Sequence, residues 1–172
     1  MGNTRGAVRI VVAVVGVVVV AAYAALLAVN ALVLDPLAAV PGATLPEVHA
    51  RVGAAGFSVA GDVRGVVVVA SIGVVLALAA AVVGLAARLP ATVVAVMHLG
   101  VLAAGALATF QSGFWLGMDV ADTFGTSGGA HTIWAGVLYL TSLAAFIAIP
   151  VVLFATMIRT LRTQRRRQLA AG

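Results

Sequence analysis

The chain contains no cysteine and no lysine, and only five of its 172 residues are acidic. Without thiols there can be no disulfide, thiolate metal centre, iron–sulfur cluster or cysteine nucleophile. Charged residues make up 9% of the chain, against roughly a quarter in soluble domains, while 63% of it is hydrophobic; an ordinary soluble domain is excluded. All ten basic residues are arginine, and with the heavy use of alanine, valine and glycine this composition points to a GC-rich, bacterial source. No phosphate loop, dinucleotide fingerprint, HExxH motif or Ser/His/Asp arrangement occurs, so no enzymatic activity is expected and no cofactor is assigned.

What is present is length without charge. Two apolar runs, Val66 to Ala87 and Ala91 to Ser112, are separated only by Arg88-Leu89-Pro90. Each is long enough to cross a hydrocarbon core of ~30 Å at about 1.5 Å per residue, so together they read as an antiparallel membrane hairpin. Ile10 to Leu34 supplies a further span, too long for the apolar region of a cleaved signal peptide. His131 to Ile158 supplies another, interrupted by Pro150. The expected fold is all-α: one integral membrane four-helix bundle occupying residues 1–172, with spans at about 10–34, 66–87, 91–112 and 131–158 and a basic tail over 159–172. This four-span plan has the general shape of claudin-like tetraspans, but the cysteines and tryptophan of their loop motif are missing here, and no family is assigned.

The connections carry the local signals. Asp35-Pro36 is expected to stop the first helix, because proline cannot continue the ladder and restricts the residue before it. A loop then runs to about Val63, broken by a short helix from Leu45 to Ala54 whose start, Thr44-Leu45-Pro46-Glu47, fits a capping box. Glu47 and Arg51 stand a turn apart and can pair. The segment from Gly113 to Ala130 ends in Gly125-Thr126-Ser127-Gly128-Gly129 and reads as a loop, with Trp115 and Trp134 at the headgroup level. Small residues at Gly73, Ala77, Ala81 and Gly84, and at Gly100, Ala104 and Ala108, suggest the faces on which the hairpin packs. On that basis Gly100→Leu is expected to be more harmful than Val101→Leu.

Charge sets the expected orientation. Arg5, Arg9, Arg88, Arg159, Arg162, Arg165, Arg166 and Arg167 fall on one side against Arg51 and Arg64 on the other, where Asp35, Glu47, Asp62, Asp119 and Asp122 all fall as well. The positive-inside rule places both termini and the Arg88 turn in the cytoplasm and the Leu45 to Ala54 helix outside, in what would be a bacterial plasma membrane. The tail arginines Arg159, Arg162, Arg165, Arg166 and Arg167 are then candidates to contact anionic lipid headgroups. No aromatics interleave them, so nucleic acid is not an expected partner.

Polar residues within spans are costly unless they find partners or line a cavity. Here they are neutral and concentrated toward the outer half, and Tyr23, Asn30, Gln111, His131 and Tyr139 are the candidates for an outward-facing vestibule. His98 and His131 fall at depths about 20 Å apart at the helical rise, too far for both to ligate one haem iron. His98 is expected to bond a neighbouring carbonyl or meet a partner subunit, with Met157 the one residue at similar depth that could complete an axial pair. His49, His131, Asp119 and Asp122 have side chains suited to a divalent metal, with no diagnostic spacing.

The function expected is that of a non-enzymatic multi-pass membrane protein, a structural or accessory subunit that associates with other membrane subunits or with itself. The alternative is a small transporter or ligand-binding protein using the outer vestibule, followed by an outer-face metal enzyme. The orientation is tested by cysteine labelling of the naturally thiol-free chain. Asp122→Cys should react with an impermeant maleimide from outside the cell, and reaction only from the cytoplasmic side would contradict it.

Overall fold

The computed structural model describes the backbone of residues 2–171, with all side chains in that range except those of residues 2, 3, 5, 165–167 and 169–171. It is all-helical among these residues, and four of its helical stretches, Gly6–Ala39, Val59–Ala86, Ala91–Phe124 and Ile133–Gln164, are long and apolar enough to span a membrane. They run up, down, up and down, which puts the start of the first span, the Arg88 turn and the end of the last span at one end. Large apolar side chains such as Val18, Val75, Val82, Leu107 and Phe154 are more than half exposed. A belt of that kind is tolerated in lipid, not in water.

Helix α1, Gly2–Val29, does not stop at Asp35-Pro36 as the sequence suggests. It passes through a π-helical segment, Asn30–Leu34, into a further turn, α2, Asp35–Ala39. A proline ring collides with the carbonyl four residues before it in an α-helix and offers no N–H. The wider π turn, in which Asp35 N–H bonds to the Asn30 carbonyl, absorbs that defect and carries the chain across it.

Helix α3, Leu45–Ala54, has the expected limits. The Glu47 carboxylate accepts from the Thr44 N–H (2.7 Å) and from the Thr44 hydroxyl (2.9 Å). The backbone bond first, and the hydroxyl after it, hold the Glu47 carboxyl below its usual range. Arg51 does not close on Glu47; its guanidinium lies 5.6 Å from the ring centroid of Phe124. Helix α4, Val59–Ala86, begins earlier than hydropathy suggests, because Ser58 caps it by accepting from Gly61 N–H and Asp62 lies in its first turn.

The Arg88 turn ends α4 with two backbone bonds, Leu89 N–H to Gly84 O (2.9 Å) and Arg88 N–H to Leu85 O (3.2 Å). Arg88 itself is left-handed at φ 52, the geometry of a Schellman close. Pro90 then starts α5, Ala91–Phe114. The following segment is not a loop: after a break at Trp115 (ψ −97), α6 runs from Leu116 to Phe124 and is closed by Gly125 at φ 67. The glycine run that reads as loop begins with the residue that caps a helix. The fourth span, α7, covers Ile133–Ala171, so His131 and Thr132 precede it and the basic tail continues it, with Pro150 inside.

Helix α5 is the centre of the bundle and touches α1, α4 and α7. Its buried residues are Val94, His98, Leu102, Gly105, Thr109 and Ser112, spaced by four, four, three, four and three, close to the heptad pattern of left-handed helix packing. This corrects the small-residue row read from the sequence: Gly100 and Ala104 are exposed, and a Cβ at Gly100 would meet nothing within 4 Å. In α4, Ala77 and Gly84 do face inward, Gly84 against Val94, while Gly73 opens to free space. Selecting by size alone missed that each seam sets a large side chain on one helix against a glycine on the other.

Two such contacts join α1 and α5. A Cβ at Gly16 would collide with the His98 ring, and a Cβ at Gly105 would lie 2.7 Å from the Tyr23 ring. At the other end of the bundle, Ala39, Val48, Val52, Leu116 and Val120 form a separate core in which α2, α3 and α6 cap the spans. Because Gly105 is filled and Gly100 is open, their alanine variants should move stability in opposite directions. Gly105→Ala is expected to lower the melting temperature through overpacking worth about 1–3 kcal/mol. Gly100→Ala should leave it unchanged or raise it, since alanine is favoured over glycine in a helix by about 1 kcal/mol. Differential scanning fluorimetry in mild detergent distinguishes them.

Candidate functional site

Polar side chains of the first span and of the segment before α7 meet at the capped end. Because a π turn holds fewer degrees of rotation per residue than an α turn, it brings Asn30 and Asp35 to one side of the first span, where an unbroken α-helix would set them about 140° apart. Asp35 Oδ1 accepts from the His131 backbone N–H at 2.7 Å, and its other oxygen stands 3.5 Å from His131 Nδ1. His131 Nε2 is 3.2 Å from the Ser127 hydroxyl. Thr132 donates its hydroxyl to Asn30 Oδ1 at 2.6 Å. These bonds tie the segment preceding α7 to the π segment.

Deeper in the bundle, Tyr23 joins three helices. Its hydroxyl is 2.8 Å from Thr109 Oγ1 on α5 and 3.0 Å from Ser142 Oγ on α7. Thr109 follows Gly105 by one helical turn, so the glycine that seats the phenol ring also delivers its hydroxyl to a partner. Ser142 is 1% exposed, and in that setting an unpaired hydroxyl is expensive.

Between these two layers lies a cavity of about 260 Å³. The first span contributes Leu27, Asn30, Ala31 and Asp35; α5 contributes Thr109, Phe110, Ser112 and Phe114. Gly117, Gly128 and Gly129 form a thin wall, and Ala135, Leu138 and Tyr139 close the side made by α7. The Phe110 and Phe114 rings stand 6.0 Å apart, tilted by 33°. Below it, the Tyr23 triad and then Val20, Ala77, Leu102 and Ala145 fill the bundle.

Of the residues singled out from sequence, Asn30 and Tyr139 line this cavity. Tyr23 lies beneath it, and its ring also borders an apolar groove of about 250 Å³ between α1, α4 and α5. His131 supports Asp35 outside the lining, and Gln111 is exposed on α5 away from it. Asp35 and Ser112 were not singled out: Asp35 was read as a helix stop, and Ser112 gains its position from the heptad register of α5. That register, followed from Val94, was the signal that could have found it.

His98 is 3% exposed and its Nδ1 donates to the Val94 carbonyl at 2.8 Å. Met157, on α7, is 51% exposed. Asp119 and Asp122 share α6, and His49 sits in α3; among the described residues no three His, Asp or Glu side chains converge as a metal site would require. At the opposite end Arg9, Arg88 and Arg159 line an open groove of about 690 Å³ with Thr4 and Thr92. Arg162 is exposed on α7, and the side chains of Arg165, Arg166 and Arg167 lie outside the described residues.

The Tyr23 triad yields a stability prediction. Tyr23→Phe keeps the ring on Gly105 but removes the shared hydroxyl, and should cost on the order of 1 kcal/mol, the size of a hydrogen bond between membrane helices. Gln111→Ala, at an exposed position, should cost nothing measurable in the same melting assay. Compared with known proteins, the chain matches no family model, no curated protein and no solved structure.

Proposed function

We propose that this multi-pass membrane protein is a non-enzymatic accessory subunit that holds a larger membrane assembly together. The observation that carries the reading is the division of its glycines. Gly16, Gly84 and Gly105 are filled by side chains of the same chain, whereas Gly100 and Gly136 have nothing within 4 Å of where a Cβ would stand and lie on exposed helix faces. Exposed small residues allow another helix to approach closely, where lipid gives no hydrophobic drive for association. Both termini and the Arg88 turn lie in the cytoplasm in this reading, with α3 and α6 outside. Its support is the placement of eight of the ten arginines at one end, and of all five acids with only Arg51 and Arg64 at the other. The groove of Arg9, Arg88 and Arg159 then faces the anionic headgroups of a bacterial plasma membrane, with Arg162 beside it.

A small ligand-binding protein or transporter is the second reading, favoured by the cavity beside Asp35. Transport needs a route onward, and the layer of Val20, Ala77, Leu102 and Ala145 stands in the way.

Purification from native membrane in mild detergent, followed by mass spectrometry, separates the two readings. The wild-type chain should retain a discrete membrane partner or a second copy. Gly100→Leu should reduce that partner at least fivefold without lowering the melting temperature of the chain itself. Equal recovery with both proteins, or no partner with either, would contradict the subunit assignment.

A further inference from the structure

Ser112 is 1% exposed, lines the cavity at the capped end, and its hydroxyl has no hydrogen-bond partner among the described residues. A buried hydroxyl left unpaired costs about 1–3 kcal/mol, and Ser112 is among the residues that line a space of about 260 Å³, large enough for a small molecule. Asn30 has its carbonyl oxygen engaged by Thr132, so what it can offer an occupant is its amide N–H. The hydroxyls of Thr109 and Ser142 are already shared with Tyr23. Of the two buried hydroxyls in the lining, Thr109 and Ser112, Ser112 is therefore the one left without a partner among the described residues.

The lining also states the charge of that occupant. Asp35 is its one ionisable acid, and no arginine or lysine borders the space. The Asp35 carboxylate accepts one backbone N–H on Oδ1, and Oδ2, which stands 3.5 Å from His131 Nδ1 without a hydrogen bond, keeps capacity for a charged donor. Phe110, Phe114 and Tyr139 bring aromatic faces to the same cavity, and aromatic rings beside a carboxylate are the surroundings that favour an organic cation. Leu27, Ala31 and Leu138 supply the apolar remainder. The geometry points to a binding site for a small organic ammonium: the cationic nitrogen at Asp35, a hydrogen bond to Ser112, and an apolar body against Leu27 and Leu138. The size limits it to something on the order of a dozen non-hydrogen atoms, below the usual range of drug-sized sites. An amine headgroup of a phospholipid and a free alkylammonium share this chemistry.

The test is isothermal titration of the full-length chain in neutral maltoside micelles with 2-phenylethylammonium, using 2-phenylethanol as the uncharged counterpart. Saturable one-site binding of the amine is expected, with the alcohol at least tenfold weaker. Asp35→Asn should weaken the amine at least tenfold, Ser112→Ala about threefold, and Gln111→Ala not at all. Added phosphatidylethanolamine displaces the amine if a lipid headgroup is the natural occupant, and has no effect if a free amine is; phosphatidylglycerol displaces it in neither case. No saturable heat, equal binding of amine and alcohol, or wild-type affinity in both Asp35→Asn and Ser112→Ala would overturn the assignment.

Discussion

The bundle depends on a reciprocal exchange between two parallel helices. Tyr23 of α1 rests on Gly105 of α5, and His98 of α5 rests on Gly16 of α1. Within each helix the ring and the glycine are a heptad apart, so one register satisfies both contacts. In water a core of this size would be held largely by the hydrophobic effect; in lipid that drive between helices is absent, and close van der Waals fit with satisfied polar groups takes its place. Two rings seated on backbone supply the fit. Three of their polar contacts come in the same stroke: Tyr23 reaches Thr109 and Ser142, and His98 Nδ1 returns to the carbonyl of Val94, which leaves His98 Nε2 buried without a partner among the described residues.

The consequences run along α5. Once α1 is fixed against it, the stripe from Val94 to Ser112 is committed to the interior, and the opposite stripe containing Gly100, Ala104 and Leu107 is committed to the outside. Gly84 can then meet Val94 at the tight end of the hairpin. At the other end the same rotation leaves Ser112 beside the space between the π segment and α7. The cap of α2, α3 and α6 has its own core and stands across that end, so the cavity is bounded by elements that fold locally as well as by the spans.

Features governed by local chemistry were legible in the sequence. The spans declare themselves because a hydrocarbon core requires long uncharged runs, and α3 because Thr44 and Glu47 form a cap within four residues. Features governed by rotation were not. Nothing in the composition of Asn30–Leu34 marks a π turn, so Asp35-Pro36 looked like an end and proved to be a passage. Gly125 looked like part of a flexible run, whereas its left-handed backbone closes α6. Choosing interface residues by smallness found Ala77 and Gly84 but put Gly100 inside, because size does not reveal which face a residue occupies. At the candidate site, Asn30 and Tyr139 stood out as polar residues in the outer half. Asp35 and Ser112 required the register to be known.

The reciprocal seam is most directly tested by a double-mutant cycle on Gly16 and His98, read as unfolding free energy in detergent. Gly16→Ala alone should cost about 1–3 kcal/mol by driving a methyl group into the imidazole, and His98→Ala alone should cost by leaving a void. If the ring sits on that glycine, the double variant is less destabilised than the sum of the two by at least about 1 kcal/mol, because each change relieves the other. Additivity within about 0.5 kcal/mol would show that the two residues do not touch, and would contradict the α1–α5 register.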